Sequence, residues 1–175
     1  STAGSYFHAL RRQVTGAARI PLVLFTPKSL LRTRESYSRV DVITDEGFCT
    51  VLPDDATSEA RRVLLCSGKV YYDLVRGREE RGDSSVAIVA LEQLFPFDDT
   101  AVREAVERHG TDVEVVWVQE EPSNMGAWTF VAPRLQAALG RSVALIARRQ
   151  SASPATGSHQ VQVVEQQELV DKALA

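Results

Sequence analysis

From Arg62 onward, short unbroken apolar runs alternate with stretches of helical period, and no other feature restricts the fold as strongly. RVLLCS (62–67), VAIVAL (86–91), VEVVWVQ (113–119) and SVALIA (142–147) are rich in β-branched residues and lack the alternation of a half-exposed strand. Runs of that kind suit strands buried on both faces, as in parallel sheets. Between them lie VYYDLVRGREERG, the segment after Pro96 and WTFVAPRLQAAL, and QVQVVEQQELVDKALA follows the last strand. Each reads as a helix. Asp98 is placed to cap the second, with Val102, Ala105 and Val106 as its apolar stripe and Gly110 at its end. Pro133 is expected in a first turn or at a kink. Strand–helix alternation predicts an α/β fold in three layers, a mostly parallel sheet with helices on both faces.

The first third is less regular. Ser1 or Thr2 can cap a helix carrying Tyr6, Phe7, Leu10 and Val14, which Gly16 stops. LVLFT, between Pro21 and Pro27, is expected to be a buried strand. Residues 32–47 are polar and weakly patterned and read as a linker. FCTVL (48–52) is a possible strand. The expected organisation is therefore 1–31 as the end of a preceding domain, 32–47 as linker and 48–175 as the α/β domain. The chain opens on Ser1, not Met, which suggests processing or a longer parent.

Composition narrows the partners. The 175 residues carry a net charge of −3, without the basic footprint of a nucleic-acid binder. No apolar run approaches the ~18 residues of a membrane span. Cys49 and Cys66 both border apolar stretches and are expected to be buried thiols, as in a reducing compartment. His8, His109 and His159 are widely spaced and show no metal-ligand pattern.

In open α/β sheets, function gathers at the carboxyl ends of strands. TPKS (26–29), SGK (67–69), LEQLFPF, QEEP and RRQSASPATGS all follow expected strands. SGK is not a P-loop, and a tight turn at Gly68 is the simpler account. Lys28, Ser29 and Arg32 within TPKSLLR would suit an anion or a partner carboxylate, or would simply be a solvated exit. Glu120 and Glu121 are adjacent, so in extended chain they point opposite ways and would not act on one atom. With Asn124 and Trp128 they read as an interface or edge. SASPATGSH is either a ligand-lining loop or a mobile surface. His8 reads as packing, His159 as a helix-start residue and Arg148–Arg149 as solvated. No G-D-G…N, G-x-S-x-G, H-E-x-x-H or G-x-G-x-x-G occurs.

Six strings go further: STAGSYFHALRRQV, PLVLFTPKSLLR, CSGKVYYDLVRGRE, VAIVALEQLFPF, WVQEEPSNMGAW and SASPATGSHQVQVVEQQELVDKAL. In that order they resemble the C-terminal region of the decarboxylating component of 2-oxoglutarate dehydrogenase. The related 2-oxoadipate enzymes share much of the pattern, and a stand-alone CoA- or nucleotide-binding module is a further alternative. The resemblance implies a transketolase-C-like domain of a homodimer. In such enzymes preceding domains hold thiamine diphosphate and magnesium, and the succinyl group passes to a lipoyl arm of the dihydrolipoyl succinyltransferase complex. It implies no catalytic residue in this chain and residues 1–26 as the last helix and strand of a pyrimidine-binding domain. It also implies a cytoplasmic location in bacteria or the mitochondrial matrix in eukaryotes. By the same likeness Lys28, Ser29 and Arg32 would serve an allosteric CoA-type effector. The sequence departs from the pattern at Ala90, where arginine is common, and at Gln162, where histidine is common.

Overall fold

The computed structural model describes residues 2–17, 20–57 and 59–175, so Ser1 as an expected cap lies outside the described residues. The chain divides into two compact units, residues 1–49 and 50–175.

In the first unit, helix α1 (Ala3–Thr15) is capped by Thr2, whose hydroxyl accepts from the Ser5 amide at 3.1 Å. The segment expected to be a linker is partly helical. It holds the turn of 3-10 helix Arg34–Ser36 and helix α2 (Val40–Thr44). α2 lies close to α1: a Cβ on Gly4 would come within 2.7 Å of Val42. The Gly4 amide donates to Ser38 Oγ, and His8 is buried with Nε2 2.7 Å from the Val42 carbonyl. LVLFT is not a strand. Among the described residues it has no ladder partner, and Phe25 is 95% exposed. β-forming side chains make an extended segment, but a strand also needs a neighbour to take its backbone hydrogen bonds.

The second unit is a five-stranded sheet between two helical layers. Its elements are β1 (Val51–Leu52), β2 (Arg62–Cys66), α3 (Val70–Arg81), β3 (Val86–Leu91), α4 (Asp99–Glu107), β4 (Glu114–Pro122), α5 (Trp128–Leu139), β5 (Ala144–Arg148) and α6 (His159–Leu174). The spatial order is β1-β3-β2-β4-β5, and only β1 runs antiparallel. FCTVL therefore contributes two strand residues, with Val51 opposite Leu91.

Every residue of β3 is buried, as its unbroken apolar run requires. Val63, Leu65, Val89 and Trp117 face the α4–α5 layer, whereas Leu64, Cys66, Ile88 and Val118 face α3 and α6. Alternate strand residues thus feed opposite layers. Gly77 lets α3 and α6 approach, since a Cβ there would stand 2.7 Å from Val170. Asp98 caps α4 as expected, accepting from the Ala101 amide and the Thr50 hydroxyl, and both bonds hold its carboxyl below the usual range. Pro133 sits inside α5, beyond its first turn, at an exposed position. Cys66 is buried as expected, but Cys49 is exposed because its FCTVL strand begins only at Val51.

One buried ion pair has no counterpart in the sequence reading. Asp54 and Arg78 bond to each other, Arg78 also donates to the Val86 carbonyl, and Asp54 accepts from the Ile88 and Ala56 amides. These added bonds satisfy the remaining polar atoms, which a desolvated pair requires.

Candidate functional site

The strand order fixes where the sheet changes direction. From β2 the chain crosses to β3 on one side, then returns past β2 to β4 on the other. The crevice beyond the carboxyl ends of β2 and β4 is therefore the topological switch point. SGK leaves β2 there and QEEP ends β4 there. Gly68 has φ +79°, so the turn into α3 uses the left-handed conformation that glycine adopts without strain.

Lys69 bridges the switch point. Its ammonium lies 2.7 Å from Asp73 on α3 and 3.0 Å from Glu120 at the end of β4. Burial disfavours the charge, but the Asp73 bond and the Glu120 carboxylate outweigh it and hold Lys69 above its ordinary value. Asp73 also accepts from Gln166 of α6 at 2.9 Å. The lysine is thus neutralised by two carboxylates, and the tight-turn reading of SGK agrees with this better than a phosphate site. Glu121 is exposed while Glu120 makes the bridge, as expected of neighbours in a strand.

The turn after β4 is held by Gln119, which sequence reasoning missed. It is 3% exposed and uses its whole amide. Its Oε1 accepts from the Trp117 indole N–H and the Trp128 amide, each at 3.1 Å, and its Nε2 donates to the Pro122 and Met125 carbonyls. Gly126, φ +70°, packs so closely that a Cβ would stand 2.9 Å from that Nε2. A glutamine at the end of a buried apolar run and just before a proline turn is the only signal in the sequence. Trp128 is half-buried against the α4–α5 core, and Asn124 exchanges two hydrogen bonds with the Ser151 backbone.

Arg148 ties the last loop to this edge. It donates to the Glu120 and Pro154 carbonyls and to the Glu165 carboxylate of α6. It is therefore a structural clamp, not a solvated cation. His159 opens α6 and is exposed. A groove of 440 Å³ between α3 and α6 reaches this edge, with Lys69, His159 and Gln162 in its wall. Ala90, at the arginine position of the pattern, is fully buried in β3.

Lys28, Ser29 and Arg32 lie in the first unit, in a 3-10 helix spanning Lys28–Arg32, and all three are exposed. At three residues per turn Ser29 and Arg32 share a side, whereas Lys28 is offset by about a third of a turn. TPKS therefore does not follow a strand, unlike the other four segments. Among the described residues no three of His, Cys, Asp and Glu gather as metal ligands, and no helix is long and apolar enough to cross a membrane.

Comparison with known proteins places this geometry in context. Residues 37–174 match the family model for the 2-oxoglutarate dehydrogenase C-terminal region. The 2-oxoglutarate dehydrogenase E1 component of Cupriavidus necator is 41% identical over 180 residues, covering 100% of this chain and 19% of its own length. That of Rickettsia typhi is 38% identical, covering 99% of this chain and 19% of its own length. A Rattus norvegicus protein named 2-oxoglutarate dehydrogenase-like, mitochondrial, is 41% identical, with 99% and 18% covered. The chain therefore spans under a fifth of the length of the relatives it matches.

Proposed function

The chain belongs to the 2-oxoglutarate dehydrogenase C-terminal family, and from that premise we propose that it serves as the C-terminal part of a 2-oxoglutarate-decarboxylating E1 enzyme. The observation that carries this reading is similarity along the whole chain, at about 40% identity, to proteins named as that component. In this reading the remaining four fifths of the polypeptide perform the decarboxylation and deliver the succinyl group to a lipoyl arm. This region supports the homodimer and frames access to the active site.

Thiamine diphosphate and magnesium would be held by that other part of the polypeptide. The residues here do not suit them: magnesium requires clustered hard oxygen ligands, and the carboxylates at the switch point are committed to Lys69. The role of the carboxyl edge is positional. Lys69–Glu120, Gln119 and Arg148 lock the ends of β2, β4 and β5 into one rigid rim. Glu120, Glu121, Asn124 and Trp128 belong to that rim as interface residues.

Residues 1–31 would complete the preceding domain. Exposed Tyr6, Leu10, Val14, Ile20, Val23 and Phe25 supply the apolar surface for that role, and LVLFT would gain its strand partners there. Lys28, Ser29 and Arg32 would present cations and a hydroxyl to a CoA- or nucleotide-type effector.

The test is turnover of 2-oxoglutarate with thiamine diphosphate and magnesium, by this chain alone and by the full-length protein. Activity in the full-length protein only is expected. Turnover by the chain alone, or a full-length protein that prefers 2-oxoadipate, would refute the assignment. Lys28→Ala with Arg32→Ala should abolish activation by acetyl-CoA and leave basal turnover intact. Undiminished activation would remove those residues from the effector site.

A further inference from the structure

We draw no further inference here: the strongest candidate, the groove of 440 Å³ between α3 and α6 walled by Lys69, Arg76, His159 and Gln162, carries none, because Lys69 is already neutralised by Asp73 and Glu120 and nothing in the structure shows what fills the rest.

Discussion

Replacing Gln119 by alanine should unlock the rim at the end of β4, and the structure sets the size of the effect. Four hydrogen bonds disappear together. The Met125 carbonyl and the Trp128 amide are only part-buried, so water can partly replace their bonds, and the buried Pro122 carbonyl keeps the Met125 amide as a donor. The Trp117 indole N–H is not compensated, because Trp117 is 1% exposed. An unsatisfied buried donor costs about 1–3 kcal/mol, and a replaceable hydrogen bond about 1 kcal/mol or less. The sum is a loss of roughly 2–4 kcal/mol, or about 5–15 °C in the midpoint for a chain of this size. Chemical denaturation followed by tryptophan fluorescence is the direct assay, since Trp117 and Trp128 are the chain's two tryptophans. Gln119→Glu refines the test. It keeps an acceptor for both tryptophans but turns a carboxylate oxygen toward two carbonyls, which favours the protonated acid. The new group's folded pKa is then raised, so this variant should approach the parent near pH 5 and fall behind it by pH 8. A loss below about 0.5 kcal/mol for Gln119→Ala would refute the idea that one amide holds the turn.

Asp54→Ala should cost about 3–5 kcal/mol by leaving the Arg78 charge buried and unpaired, whereas Asp54→Leu with Arg78→Met should cost much less. Urea midpoints of the single and double variants decide this, and additive losses would count against it. His109 is buried, and burial pushes its pKa below the usual value despite nearby Asp54. The unfolded chain therefore takes up the proton first, so stability should decline as pH falls through about 6.5 and level off below the folded pKa. His109→Gln should flatten that decline, and an unchanged urea-midpoint profile would exclude His109 as its source. In the 175-residue chain the amides of residues 20–27 should exchange at nearly unstructured rates, while β3 amides exchange slowest. Protection of 20–27 equal to that of β3 would contradict the unpartnered state of LVLFT.

Local chemistry alone makes much of this molecule readable in its sequence. Three of the parallel strands from Arg62 onward, β2, β3 and β4, are buried on both faces along most of their length, so each announced itself as an apolar run. The helices between showed their stripes, Asp98 its capping role, and the carboxyl edge followed from order alone. Glu120 and Glu121 could be separated in role because neighbouring strand residues point apart. What failed to show depended on partners distant in sequence. LVLFT has the side chains of a strand but no neighbour to bond. Residues 32–47 looked featureless because α2 is held by contacts from Gly4 and His8. Gln119, Asp54, Arg78 and Arg148 look like ordinary surface residues, since a polar side chain carries no mark of its burial. Their positions were decided only when the sheet order set β2 between β3 and β4. A side chain's intrinsic preference is a property of the sequence, whereas the satisfaction of a buried hydrogen bond or charge belongs to the folded chain, where residues far apart in sequence meet.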